Sequence, residues 1–238
     1  MNKTSSKLSI DNPVIGSLLN GGLDKDIITS VYGPAASGKT TFCLLATISA
    51  SKEGKVIFVD TEGGFSTERL KQLSKDYNKI LKNVRIFRPT RFNEQEKVFD
   101  ELNKLILQSK NNDFSLVIVD TISFLYRVEK NSENIYELNR KLGKQINLLN
   151  EIARKKHVPI LLTNQVYADF NRKDRVKIVG GDLIKYASKC MIELNNLNNG
   201  LREATLIKHR SLPEKKILFE IREEGFVETK RNNKFRIF

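Results

Sequence analysis

Short, nearly continuous apolar runs alternate along this chain with longer stretches whose apolar residues return every three or four positions. The first pattern predicts strands and the second amphipathic helices. "IITSVYG" reads as a strand, followed by a helix over residues 39–51. "KVIFVDTE" reads as the next strand, and Leu70, Leu73, Tyr77 and Leu81 then fall at helical spacing. "VRIFRPT" is a third. After it, Asn93 with Glu96 three residues on predicts a capping-box start for a helix with Val98, Leu102, Leu105 and Ile106 on its apolar face.

"FSLVIVDTIS" and "VPILLTNQV" are apolar almost throughout, the mark of strands covered on both faces of a parallel sheet. Between them Ile135, Leu138, Leu142, Leu149 and Ile152 mark one face of a long helix ending in the basic "ARKK". After about residue 188 the pattern changes. "KCMIELNNL", "REATLIKHR" and "KKILFEIREEGFVE" read as strands joined by "NNG" and "SLPE", with "EEG" inside the third. The expectation is an α/β fold with a mostly parallel central sheet, helices on both faces and an antiparallel C-terminal extension. Residues 1–238 are expected to form one domain, with 1–15 a short N-terminal segment and 229–238 a basic tail.

Composition narrows the setting. Hydrophobic residues make up 39%, enough for a core, and no apolar run approaches the roughly 20 residues of a membrane span. "MNKTSSKLSIDNPVIG" lacks the apolar stretch of a secretory signal, and Cys43 and Cys190 show no metal-type spacing. A cytoplasmic location without membrane association is expected. Lysine and arginine total 41 against 28 acidic residues, a formal charge of +13. That excess points to a polyanionic partner, the alternative being solvated basic faces.

The chemistry concentrates in "GPAASGKTT", comprising Gly33, Pro34, Ala35, Ala36, Ser37, Gly38, Lys39, Thr40 and Thr41. It lies between a predicted strand and a predicted helix, where a phosphate-binding loop belongs. Small residues let backbone N–H groups curl around phosphate oxygens, and the helix N-terminus adds its positive dipole end. Lys39 is expected to reach the β- and γ-phosphates of ATP, and the Thr40 hydroxyl to sit on Mg²⁺. Asp120, ending an apolar strand, is the candidate for the Mg²⁺ carboxylate. Glu62 in "VDTEGG" is a candidate to orient or deprotonate the attacking water, or else an exposed acid in a turn. Gln165, ending "LLTNQ", is either a γ-phosphate contact or an ordinary strand-end amide.

"GPAASGKTT", "VDTEGGFSTERL", "SLVIVDTIS", "LLTNQV" and "IKHRSLPE" followed by "EEGF", in this order, resemble the RecA-like P-loop ATPase core of the RecA superfamily. The resemblance is strongest to the archaeal recombinase RadA and its shorter paralogue. It implies that Glu62 is the catalytic glutamate, that Arg69 lies against the adenine ring, and that Gln165 senses the γ-phosphate. It further implies that "VYADFNRKDRVKIVGG", with Arg172, Lys173, Arg175 and Lys177, is a DNA-binding loop, and that the residues around "LYRVEKNSEN" form another. "KHR" resembles a motif that approaches a neighbouring subunit's nucleotide, which would give Lys208 and Arg210 a catalytic role in trans; the alternative is strand-end surface charge.

Two departures from full recombinases stand out. The P-loop begins at residue 33, leaving no room for their N-terminal DNA-binding domain, and the first aromatic residue is Tyr32, so their phenylalanine-bearing polymerisation segment is not expected. The resemblance therefore implies an ATP- and DNA-binding accessory protein of homologous recombination and repair. It would hydrolyse ATP weakly, carry out no strand exchange of its own, and partner a RadA-type recombinase and a Holliday-junction resolvase. The competing readings are a DNA-stimulated recombinase or motor, and a KaiC-type regulatory ATPase that acts on proteins.

Overall fold

A computed structural model describes residues 6–110, 113–130, 135–168, 176–178 and 181–229. The chain opens with β1 (Lys7–Ser9), α1 (Pro13–Leu19) and β2 (Gly22–Asp24), the two strands pairing antiparallel. β3 (Ile28–Gly33), α2 (Lys39–Ala50), β4 (Lys55–Asp60), α3 (Thr67–Leu73), α4 (Tyr77–Lys82) and β5 (Val84–Phe87) come next. They are followed by α5 (Phe92–Leu107), β6 (Phe114–Asp120), α6 (Phe124–Glu129), α7 (Ile135–Lys156) and β7 (Ile160–Ala168). The rest is β8 (Val176–Ile178), α8 (Gly181–Ala187), β9 (Cys190–Asn196), β10 (Arg202–Lys208), β11 (Lys215–Arg222) and β12 (Gly225–Glu228).

The main sheet runs β12-β11-β10-β9-β3-β7-β6-β4-β5, with β8 paired to β7. From β9 to β5 neighbours are parallel; β9 to β12 are antiparallel, as the C-terminal pattern predicts. Alternation along the strands builds two cores. Val56, Phe58, Leu116 and Ile118 face one side with α1, α2, α3 and α4 residues, whereas Ile57, Val59, Val117 and Val119 face the other with α5, α6, α7 and α8 residues. Each strand therefore reads as a continuous apolar run because both faces are covered.

Four details differ from the sequence expectation. The stretch carrying Leu70 to Leu81 is two helices, not one. Ser74 leaves the helix with an extended backbone, and its hydroxyl accepts from the Asp76 N–H at 3.3 Å, a side-chain alternative to continued helix. α5 starts one residue before Asn93. Glu94 accepts from the Thr90 N–H and hydroxyl at 2.8 and 3.0 Å, while Glu96 pairs with Lys141. Ile135, the first residue of α7, is half exposed and not part of the buried face. "KKILFEIREEGFVE" is a hairpin of two strands, turning between Arg222 and Gly225.

The N-terminal segment is part of the core. Leu8, Ile10, Val14, Ile15, Leu18, Leu19 and Leu23 are buried with the α2 face, and α1 lies on β10, β11 and β12. Asn12 secures the junction. Its Oδ1 accepts from the Ile15 N–H at 3.2 Å as the N-cap, and its Nδ2 donates to the Phe226 carbonyl at 3.0 Å. Asn12→Ala removes a cap and leaves a buried carbonyl unpaired, so chemical denaturation should show a loss of about 1–3 kcal/mol.

Candidate functional site

β3 ends at Gly33, where a Cβ would lie 2.1 Å from the Leu194 carbonyl oxygen, so only glycine fits against β9. The chain then turns through Ala36 (φ 58°) and Gly38 (φ 105°), and a Cβ on Gly38 would meet Ile221 Cδ1 at 2.8 Å. These contacts seat the loop between β3 and α2 on β9 and β11. Lys39, the first residue of α2, is buried and donates from Nζ to the Gly33 and Pro34 carbonyls at 2.9 and 2.8 Å. Burial lowers its pKa, and the charges of Glu62 and Asp120 oppose that shift.

Parallel strands deliver their carboxyl ends to one edge of the sheet, and the remaining groups arrive from β4, β6 and β7. The Thr40 hydroxyl donates to Asp120 Oδ2 at 2.7 Å, and the Thr163 hydroxyl donates to Asp120 Oδ1. Burial raises the Asp120 pKa; the two hydroxyl bonds pull it down, while Glu62 and Asp60 push with the burial. Beyond β4, Glu62 accepts from the Gln165 amide at 3.0 Å on Oε1 and 2.9 Å on Oε2, and from the Thr121 hydroxyl at 2.8 Å. Asp60 shapes the turn that carries Glu62 by accepting from the Gly64 and Phe65 N–H groups at 2.9 and 3.1 Å.

Lys39, Thr40, Glu62, Asp120 and Gln165 thus share one cleft of about 380 Å³, together with Thr41, Thr121, Ile221 and the loop residues Ala35, Ala36 and Gly38. The donor set fits a metal-bound polyphosphate: a cation and backbone N–H groups for phosphate oxygens, a hydroxyl and a carboxylate for a hard divalent ion. A Cβ on Gly64 would come within 3.3 Å of Thr40 Oγ1, so a side chain there would crowd the hydroxyl.

Arg69 lies beside this cleft. Its guanidinium donates to the Arg222 and Glu223 carbonyls at 2.6 and 3.2 Å and to Gln72 Oε1 at 2.7 Å, which plants it on the β11–β12 turn next to Ile221. Lys208 and Arg210 lie elsewhere. Lys208 donates to the Lys185 and Ser188 carbonyls at 3.0 and 2.8 Å, and Arg210 donates to Asp24 at 2.9 Å and to both oxygens of Asp26 at 3.1 Å. Asp24 and Asp26 precede β3, so this pair sits at the end of the sheet away from its own chain's cleft. The neighbouring His209 side chain is buried, with Nε2 3.6 Å from Asp24. Lys177 lies in β8 opposite Tyr167 of β7, the strand that carries Gln165. Arg172, Lys173, Arg175, residues 131–134 of the other loop and the tail beyond residue 229 lie outside the described residues.

Several site residues escaped the sequence reading. Thr163 stands two positions before Gln165, which puts both on one face of β7, a signal that was available in "LLTNQ". Thr121 and Ile221 had no such signal. Nor did Asn196 and Arg202, whose side chains bond the Ala35 and Ala36 carbonyls at 3.0 and 3.2 Å.

A family model described as Rad51 matches residues 4–229. The DNA repair and recombination protein RadB of Methanobrevibacter smithii is 40% identical over 222 residues, 91% of this chain and 94% of that protein. The RadB protein of Methanocaldococcus jannaschii is 41% identical over 212 residues, 87% of this chain and 96% of that one. A solved structure, the crystal structure of the RadB recombinase, is similar with a TM-score of 0.78 at 35% identity, covering 94% of this chain and all of that one.

Asp120 is a buried carboxylate whose hydrogen-bond partners among the described residues are two threonine hydroxyls and no cation, so its charge is desolvated at some expense to the fold. Asp120→Asn should raise the nucleotide-free melting temperature at pH 7 by roughly 2–4 °C for each kcal/mol of desolvation relieved. The threonine hydroxyl that faces the new NH2 can rotate to accept from it, while the other keeps donating to the remaining oxygen. Differential scanning calorimetry with and without Mg-ATP checks this: the same variant should lose any stabilisation by Mg-ATP.

Proposed function

Since this chain belongs to the Rad51 family, and within it to the RadB proteins, we propose that it binds Mg-ATP in the P-loop cleft and uses it to control DNA binding in recombination and repair. The observation that carries this reading is the Glu62–Gln165 contact, set beside Lys39, Thr40 and Asp120 in one cleft. In this reading the loop N–H groups and Lys39 hold the phosphates, and Thr40 and Asp120 hold the ion. Bound Mg²⁺ would supply the positive charge that offsets negative charge on the phosphates.

Glu62 is the candidate to align water, yet both its oxygens accept from Gln165 and one also from Thr121. Whatever competes for the Gln165 amide frees that carboxylate and acts on β7, whose far end pairs with β8. This supports a switch linking the cleft to the basic loop at residues 171–177. Hydrolysis should be slow. No arginine side chain lines the cleft among the described residues, and an arginine finger is typically worth about 10³–10⁵ in rate.

Family membership supports an accessory role beside a RadA-type recombinase and a Holliday-junction resolvase, with no strand exchange by this chain alone. A DNA repair and recombination role supports work in the cytoplasm. Among the described residues no helix is long and apolar enough to cross a membrane.

Lys39→Ala should abolish Mg-ATP binding in calorimetry while leaving the circular dichroism spectrum unchanged. Glu62→Gln should lower the slow turnover without weakening binding. Undiminished ATP affinity in the first variant, or fast DNA-stimulated turnover by the wild type, would count against this reading.

The DNA arm is tested by a salt titration of single-stranded DNA binding with ATP, with ADP and without nucleotide. Each phosphate contact should contribute a log–log slope of about −0.7, and sequence preference should be weak. The variant Arg172→Ala/Lys173→Ala/Arg175→Ala should lose both affinity and slope. If it keeps both, the loop is not the DNA site.

A further inference from the structure

The P-loop carries two side-chain contacts on its outer surface that the nucleotide chemistry itself does not call for. Asn196 Nδ2 donates to the Ala35 carbonyl at 3.0 Å, and Arg202 Nε donates to the Ala36 carbonyl at 3.2 Å. These residues end β9 and begin β10, and they are direct cross-strand partners in the sheet register. One rung of the β9–β10 hairpin thus presents two donors to two consecutive carbonyls of a loop some 160 residues earlier in the chain. Arg202 is held for the task by a further bond from its NH1 to the Gly200 carbonyl at 2.8 Å.

The consequence follows from peptide planarity. In a trans peptide the C=O and N–H point in opposite directions. The Ala35 carbonyl belongs to the peptide that carries the Ala36 N–H, and the Ala36 carbonyl to the one that carries the Ser37 N–H. Drawing both carbonyls to the hairpin turns the Ala36 and Ser37 N–H groups away from it: the Ser37 N–H toward the Pro34 carbonyl, and the Ala36 N–H toward the concave side of the loop, where backbone N–H groups bind anions. Ala36 holds a left-handed backbone (φ 58°) that an L-residue adopts only against a steric cost. Within the loop the Ser37 N–H closes a turn on the Pro34 carbonyl at a long 3.4 Å, and the two outer bonds hold the same peptides from the hairpin side.

We propose that the Asn196–Arg202 pair is a positioning device for nucleotide binding, fixing the apex of the P-loop in its phosphate-accepting conformation before any nucleotide arrives. The proposal rests on the P-loop reading above. It makes the affinity for nucleoside di- and triphosphates depend on the β9–β10 hairpin as well as on the loop's own residues.

Calorimetry of Mg-ATP and Mg-ADP binding, with the nucleotide-free melting temperature measured alongside, tests it. Asn196→Ala/Arg202→Ala should weaken both nucleotides by about ten-fold while shifting the nucleotide-free melting temperature little, since both side chains lie at the surface end of the hairpin. Glu203→Ala, on the next residue of β10 and bonded to Thr205 and Lys216, should leave affinity unchanged. Arg202→Lys keeps the charge, whereas Arg202→Gln keeps a donor without charge. Both should bind better than Arg202→Ala. Recovery by lysine alone would reduce the effect to long-range charge and overturn the proposal, as would affinity within two-fold of wild type in the double variant. The single Arg202 variants carry the same comparison should the double variant fail to fold. Lys39→Ala separates the two levels: if it keeps ATP affinity, the P-loop reading fails; if it loses affinity and the double variant does not, only the positioning role fails.

Discussion

The buried carboxylate of Asp120 is the point on which the site depends. It ends β6, accepts from the first turn of α2 through Thr40, and accepts from β7 through Thr163. Three elements far apart in sequence are therefore tied at one pair of oxygen atoms, away from water. A charge so placed is costly for folding, and the hydrogen bonds that both oxygens accept offset only part of that cost. The same bonds set the distance from the P-loop helix to the strand ends, which any phosphate chemistry in the cleft requires.

Around that point the site is built in two layers of contact. The inner layer comprises Lys39, Glu62 and Gln165, each engaged with a protein partner and facing the cleft. The outer layer holds backbone in place: Asp60 on the turn after β4, Arg69 on the β11–β12 turn, Asn196 and Arg202 on the P-loop apex. Most outer partners come from the antiparallel C-terminal strands. The extension that covers one end of the sheet thus also supports the candidate cleft, and it bonds the loop at its two alanines.

Electrostatics divide the molecule in a similar way. The chain carries a formal charge of +13, yet Glu62, Asp120 and Asp60 gather near the cleft, where Lys39 stands close to them. An acidic cleft suits a divalent ion, whereas the surplus of lysine and arginine elsewhere suits a polyanion. Two basic residues do not contribute to such a surface freely. Lys208 and Arg210 are spent on carbonyls and on Asp24 and Asp26, where they join the end of β10 to α8 and to the segment leading into β3.

By itself the sequence determined the alternation of strands and helices, the two-sided burial of "SLVIVD" and the place of the P-loop, because periodicity and loop chemistry are local properties of the chain. Lys39, Thr40, Glu62, Asp120 and Gln165 were legible as a set because they fall at fixed places in that alternation. The first two open α2, Asp120 ends β6, and Glu62 follows the end of β4, although Gln165, read as ending its strand, lies within β7. Local hydrogen-bonding choices already blurred the reading at Ser74, where a side chain competes with the helix, and at Thr90 and Glu94. The tertiary structure alone decided the strand order, the burial of the N-terminal segment against α2, and which side chains face the loop across the sheet. Asn196 and Arg202 meet the P-loop only because β9 lies beside β3, and Arg210 meets Asp24 and Asp26 only because β10 returns to the start of β3. Such contacts depend on which strands become neighbours, a choice made by the packing of the whole sheet and recorded in no short stretch of residues.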